Sequence, residues 1–326
     1  MGLRLSVQRS AWVRSVDAAA TRRPGLIPVV KGNGYGLGRA TLMPLAARLT
    51  TNGQIAVGTV YEAVDVPADR TALVLTPHVD ALPAALPRSA VLTVDCVAHV
   101  EALSRHGWTG QVSIKLASTM HRYGAPSADV GRVREAVEAA SMTVIGYGLH
   151  LPLAGSDASR WSEVTEWLEH LGRGPEPLSV SHLDPSASSE LAADVLPSHL
   201  GRPILIRCGT SLWHADRSLL QLTADVLGTH RVHAGAAAGY HATEVPRDGH
   251  VVLVGAGSAH GVRFLDDGRS PFHFAHQRVA MIEPAHMHTS MLFVPTGDPL
   301  PSIGDRLDVQ RPLTATTVDE LVWVDG

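Results

Sequence analysis

Eight short apolar runs rich in β-branched residues punctuate the first two-thirds of the chain, at residues 25–31, 54–58, 72–76, 90–94, 111–117, 142–151, 178–183 and 203–207. Between them lie crossover-length stretches. Several, at 40–49, 97–106, 128–140 and 159–171, place apolar residues near i, i+3 and i+4, as an amphipathic helix does. Strands alternating with helical crossovers build parallel sheets, and eight of them fit a closed (β/α)8 barrel. An open doubly wound sheet is the alternative. Against it, the first run is not followed by the glycine pattern and distal acid of a dinucleotide-binding turn. Beyond residue 218 helical periodicity is scarce, and β-like runs at 251–254, 277–281, 290–294 and 321–324 are separated by turn clusters. The expected organisation is α/β: a TIM-type barrel over residues 7–218, then a C-terminal all-β domain over 219–326, to which residues 1–6 can be added.

Composition narrows the function. A formal net charge of −4 over 326 residues gives no basis for nucleic-acid binding. No apolar run reaches the roughly 18–20 residues of a membrane span. The opening residues, MGLRLSVQRSAWVR, lack the apolar core of about 7–15 residues that a secretory signal carries, so a cytoplasmic protein is expected. Two cysteines, Cys96 and Cys208, provide neither a disulfide framework nor a CxxC zinc pair. His286 and His288 invite a metal reading, but with no matching carboxylate evident beside them no metal is expected.

Of the 27 basic residues only two, Lys31 and Lys115, are lysine. A lysine kept where arginine serves every other cation is a candidate for imine chemistry, which a guanidinium cannot perform. Lys31 ends the first run and opens KGNGYGLG, at the strand end where a barrel builds its site. A lysine on such a glycine-rich loop suits pyridoxal phosphate, whose aldehyde condenses with an amine. Arg207 ends the eighth run and is followed by Gly209 and Thr210, while Ser186 lies beyond the seventh. Together they match the phosphate site that barrels place after strands seven and eight. His182, on the seventh run, can reach the cofactor or orient a neighbour. Arg207 can instead be a structural ion pair inside the barrel. Trp161, Trp167 and Cys208 read as packing residues.

The run from Val29 to Gly38, VVKGNGYGLG, resembles the cofactor signature of the alanine racemases, pyridoxal-phosphate enzymes of fold type III. Further segments are similar to that family in family order: Ile55 to Val57 with Glu62, Lys115 to Gly124, Leu149 to Leu151, His182 to Ser186, Arg207 to Gly209, Ala238 to His241, Gly257 to Gly261, and Val279 to Met281. The resemblance implies a homodimeric racemase of a small amino acid, alanine first, supplying a D-amino acid. Lys31 would bind the cofactor and act as one base, and Tyr240 of the partner subunit as the other. Tyr35, Ser186, Gly209 and Thr210 would hold the phosphate, and Arg207 would face the pyridine nitrogen. Arg122 and the backbone N–H of Met281 of the partner subunit would bind the substrate carboxylate. Lys115 aligns with an often carbamylated lysine that holds Arg122, and His150, polarised by Arg207, would tune Tyr240. A free phenol titrates at about pH 10, so a tyrosine base needs such a neighbour.

Several family positions differ here: Ala117, Pro152, Pro185, Ser258 and Ile282, and a phosphate-binding tyrosine near the family's end is not recognisable. These departures leave two further readings open. One is a pyridoxal-phosphate binder with little turnover, used for cofactor handling or regulation. The other is a fold-III decarboxylase, against which stands Arg207 where those enzymes carry glutamate.

Overall fold

The computed structural model describes residues 2–183 and 202–325. Ser186 and Pro185 lie outside the described residues. The chain divides into two compact units, one of residues 16–34 and 39–215, the other of residues 1–15, 35–38 and 216–326.

The first unit is an eight-stranded parallel barrel. In chain order the elements are β1 (Leu3–Gln8, in the other unit), α1 (Arg9–Thr21), β2 (Leu26–Pro28), α2 (Arg39–Leu49), β3 (Gln54–Val57), β4 (Thr71–Val74), β5 (Val91–Val94), α3 (Val97–Arg105), β6 (Gln111–Leu116), α4 (Ser127–Ala139), β7 (Thr143–His150), α5 (Asp157–Leu171), β8 (Leu178–Ser181), β9 (Ile204–Cys208) and α6 (Thr210–Trp213). The strands run in the order β2-β9-β8-β7-β6-β5-β4-β3, every pair parallel. A parallel bridge between Val29 and Ala56, with the Val30 N–H donating to the Ala56 carbonyl at 2.8 Å, joins the two ends of that order. Trp213 is fully buried, and its indole N–H donates to the Val29 carbonyl at 2.7 Å, tying the last strand's helix to the first strand's end.

All eight strand-like runs of the sequence are strands of this ring, so the barrel, not the open sheet, is the fold. The outer helices form where apolar residues recur with helical spacing: α4 buries Val130, Val133 and Val137, and α5 buries Trp161, Val164, Trp167 and Leu168. Ser156 caps α5 by accepting from the Ser159 N–H at 3.1 Å. Between β4 and β5 no helix forms, because Pro77, Pro83 and Pro87 interrupt the segment.

Strand alternation explains how an apolar barrel carries a polar mouth. Side chains two residues apart share a face. At the lower end Ile27, Val29, Ala56, Leu73 and Val91 form a buried cluster, with Leu75, Ile145 and Leu205 packed against it. Two residues further along the same strands stand Lys31 after Val29 and Arg207 after Leu205, and β6 and β8 continue the layer with Ser113 and Lys115, Ser179 and Ser181.

The second unit is a mostly antiparallel sheet. Its strands are β10 (Leu220–Val232), β11 (Ala237–Ala238), β12 (Thr243–Glu244), β13 (Gly249–Val254), β14 (Phe272–Phe274), β15 (Gln277–Arg278), β16 (Ala280–Met281), β17 (Ser290–Pro295), β18 (Arg306–Val309) and β19 (Glu320–Val324). The sheet order is β15-β14-β18-β10-β13-β17-β16, and β1 joins it by pairing antiparallel with β10 and parallel with β19. Leu3, Leu5 and Val7, alternating on β1, are fully buried. β11 and β12 pair as a separate ribbon.

Candidate active site

Lys31 stands three residues past β2 on a loop whose glycines allow a path closed to other residues. At Gly34 φ is +64°, and a Cβ there would strike the Arg39 backbone nitrogen. The loop is pinned by Glu62, which follows β3: its carboxylate accepts from the Gly32 N–H at 2.9 Å and the Gly58 N–H at 2.6 Å. Arg39, paired with Asp65 at 2.6 Å, donates to the Gly32 carbonyl at 2.7 Å. Glu62 was not singled out as a site residue from sequence, yet it is the anion facing Lys31.

Arg207 lies at the floor, 5% exposed. One of its terminal nitrogens donates to the Ser179 hydroxyl at 2.7 Å and the Ser179 carbonyl at 3.1 Å, and the other to the Leu149 carbonyl at 2.8 Å. Gly148 leaves room for it, since a Cβ there would come within 3.0 Å of the guanidinium. Burial pushes the Arg207 pKa down to about 10, so it stays charged at neutral pH without a carboxylate partner. Its hydrogen bonds go to β7 and β8, whereas His150, closing β7, shares a hydrogen bond between its Nδ1 and the Ser181 hydroxyl at 2.6 Å. His182 meets the His150 ring edge-on at 4.9 Å, from a left-handed backbone (φ +59°) that strains a non-glycine residue.

Lys115, on β6, is 6% exposed. The 117–124 loop that follows is closed at its base by reciprocal bonds, Ala117 N–H to the Ala125 carbonyl and Ala125 N–H to the Lys115 carbonyl. Glu163 on α5 holds the loop by Thr119, at 2.9 Å to its N–H and 3.0 Å to its hydroxyl. Arg122 and Lys115 flank the Tyr123 ring, at 4.5 and 5.2 Å from its centroid, so their link runs through an aromatic face. Asp95, 2.8 Å from His99, is the anion nearest this group. With Cys96 these form the single group of three potential metal ligands among the described residues.

The mouth therefore gathers Lys31, Lys115, Arg122 and Arg207 against Glu62 and Asp95. Burial, then Arg207 and Arg122, push Lys115 down to about 6, so its amine is mostly neutral at pH 7. Lys31 is lowered by loss of water around its ammonium and by Arg122, with Glu62 opposing. His150 is pushed down to about 3 by burial and the neighbouring cations, and His182 is lowered by burial and Arg207, so both imidazoles are neutral. Such a pocket favours anions and presents unprotonated nitrogen bases.

Lys115 carries a stability consequence. Its folded pKa lies below the roughly 10.4 of a free lysine, so between those values the unfolded chain binds a proton that the folded chain refuses. Stability therefore falls as pH drops through that window, and the loss is complete below about 6. Lys115→Met is expected to stabilise the protein by about 1–3 kcal/mol at pH 6, with the gain shrinking towards pH 10. Urea midpoints at pH 6 and 9 check this, and an equal gain at both would refute it.

Tyr35, Tyr240 and Met281 belong to the other unit. Tyr35 is buried, with φ +58°. Met281 is buried on the edge strand β16. Ile282 N–H donates to the Met291 carbonyl at 2.9 Å, so by alternation the Met281 N–H points away from β17. Ile282 packs on Ala238, Val245, Val251 and Phe293, which accounts for an apolar residue there. Tyr240 is 84% exposed. One expectation is corrected: His286 does have a carboxylate beside it, Glu283, at 2.6 Å. Gly209 precedes α6 and Thr210 opens it, just past Arg207.

A parallel barrel with a lysine beyond its first strand and a buried arginine on its last, joined in one chain to a mostly antiparallel sheet, defines the barrel-plus-β class. Within it, residues 10–216 match the alanine racemase N-terminal domain, and the chain belongs to the alanine racemase family. Among solved structures it resembles alanine racemase from Bartonella henselae with covalently bound pyridoxal phosphate, at TM-score 0.72 and 15% identity over 99% of this chain and 100% of that one. It likewise resembles alanine racemase from E. faecalis (0.70, 18%, 99% and 98%) and from D-cycloserine producing Streptomyces lavendulae (0.70, 19%, 100% and 98%). Among curated proteins none matches. No helix among the described residues is long and apolar enough to cross a membrane.

Proposed function

We propose that this chain is a pyridoxal-phosphate-dependent racemase of a small amino acid, alanine first, working as a homodimer. The observation that carries the reading is Lys31: an amine of lowered pKa at the mouth of a barrel whose floor is a buried, carboxylate-free arginine. The residues fit the cofactor. Two arginines, Arg122 and Arg207, among these groups suit its phosphate and the substrate carboxylate, and an amine that sheds its proton readily suits its aldehyde. Lys31 would hold it covalently, Tyr35, Gly209 and Thr210 with Ser186 its phosphate, and Arg207 its ring nitrogen, with His182 alongside. When bound, the cofactor supplies a sink for the electron pair left at the substrate α-carbon.

The chain's own groups then divide the work. Arg122 and the N–H of the partner subunit's Met281 hold the substrate carboxylate. Lys31 moves a proton at its Nζ on one face of the α-carbon, and the partner subunit's Tyr240 moves one at its phenol oxygen on the other. His150, neutral and with Nδ1 engaged by Ser181, offers its other nitrogen to that phenol. Arg207 keeps its own protons at neutral pH, so it would give none to a ring nitrogen set against it, which would weaken the sink and suit proton return over side reactions.

The experiment is the purified protein with pyridoxal phosphate and L-alanine in deuterated water, read by chiral separation and α-deuterium content. D-alanine carrying deuterium is expected, and Tyr240→Phe should lower its formation by about 10²–10⁴-fold while leaving the cofactor's visible band intact. The band without exchange or inversion would reject alanine and favour the binding-protein reading.

A further inference from the structure

Tyr240 is an exposed aromatic on a tight turn, and such a side chain would ordinarily sample several rotamers. Here its root is fixed from beneath. Glu283, two residues past β16, is only 2% exposed at its side chain. Its carboxylate accepts from the Tyr240 N–H at 2.9 Å, the His241 N–H at 3.0 Å and the His286 Nε2 at 2.6 Å. A buried carboxylate is costly unless its oxygens are satisfied, and these three donors satisfy it. Gly239, at φ +76°, is the residue the arrangement demands: any Cβ there would collide with the Glu283 carboxylate. The same carboxylate orients His286, whose ring lies 4.4 Å from the Tyr240 ring at 43°. His286 is itself anchored, its carbonyl accepting from the Ser258 N–H at 2.7 Å.

We propose that Glu283 and His286 form a positioning pair for Tyr240, the carboxylate fixing the backbone of the turn and the imidazole walling the ring, so that the phenol is presented preorganised to the partner subunit's barrel. The proposal rests on Tyr240 being the second base. Preorganisation matters because a misplacement of about 1 Å in a reacting group can cost a hundredfold in rate. The pair acts through Tyr240, by the turn's backbone and by its ring.

The test uses the cofactor-loaded full chain as Glu283→Ala, Glu283→Gln and His286→Ala, with two readouts. Amide hydrogen exchange at Tyr240 and His241 and the order of the Tyr240 ring by NMR report the clamp without any turnover. Exchange of the α-proton of each alanine enantiomer reports the two faces separately. Glu283→Ala should deprotect both amides, loosen the ring and slow exchange of one enantiomer at least tenfold, leaving the other enantiomer and the visible band unchanged. Glu283→Gln, which keeps an acceptor oxygen, should recover part of this, and His286→Ala should loosen the ring while sparing the amides. Amides and ring unchanged in Glu283→Ala would overturn the proposal, as would a loosened turn with both exchange rates intact, or an equal fall on both faces. Tyr240→Phe run in parallel isolates the underlying reading: if it exchanges both enantiomers normally, Tyr240 is not a base, whatever Glu283 does. Where no amino acid turns over, the ring order alone decides.

Discussion

Lys31→Ala is expected to abolish the visible band of the cofactor-loaded protein and to lower amino-acid racemisation by at least about a thousandfold, because one residue supplies both the covalent anchor and a proton-transferring amine. Lys31→Arg should fail equally, since a guanidinium keeps its proton and forms no imine under these conditions. The effect has a pH signature. Loss of water and the Arg122 charge lower the Lys31 pKa, while Glu62 alone opposes them. Cofactor uptake in the wild type should therefore rise with pH through a midpoint below that of a free lysine. Glu62→Gln, removing the opposing anion, should move the midpoint lower still. Spectral titration of cofactor against protein at a series of pH values measures both. An unchanged band in Lys31→Ala would remove the central assignment, because no other lysine but Lys115 remains and that amine sits in β6 beneath Tyr123.

The barrel was legible because each strand carries its own signal, a short β-branched run whose alternate residues turn polar at one end, as Val29 gives way to Lys31 and Leu205 to Arg207. The lysine count marked Lys31 independently, and Lys115 with it. What sequence did not disclose is the set of acids that hold the site's loops. Glu62 grips Gly32 from 30 residues away, Glu163 grips Thr119 from 44, and Glu283 grips Tyr240 from 43. Each binds a backbone N–H, a partner with no residue identity, so no spacing rule points to it. Glu283 had a weaker trace, because its partner His286 is three residues on, within the ordinary reach of a turn. The pairing of β1 with β10 and β19 is of the same kind: Leu3, Leu5 and Val7 alternate clearly, but nothing local says which strand they join.

Arg207→Ala should destabilise the barrel as well as impair cofactor binding. Arg207 satisfies two carbonyls, of Ser179 and Leu149, and the Ser179 hydroxyl, all within the wall between β7 and β8. Removing the guanidinium takes a donor from each of those groups and opens a cavity beside Leu205. The β7–β8 ladder still engages the two carbonyls, and the hydroxyl still donates to the Tyr147 carbonyl. Burial of the cation works against these bonds, and a net loss of about 1–3 kcal/mol is expected from urea unfolding. Arg207→Met separates the contributions: it refills most of the volume but restores none of the guanidinium's hydrogen bonds, so it should recover less than half of the loss if hydrogen bonding dominates. Arg207→Lys restores charge but not the fork, since one ammonium cannot serve carbonyls on two strands in the guanidinium's geometry, and it should fall between alanine and the wild type. Full recovery by methionine would show that Arg207 acts in the fold mainly as volume. Recovery graded from alanine through lysine to arginine would show a guanidinium whose fork is saturated by the barrel wall, leaving its outward edge and its charge for the ring nitrogen it is proposed to face.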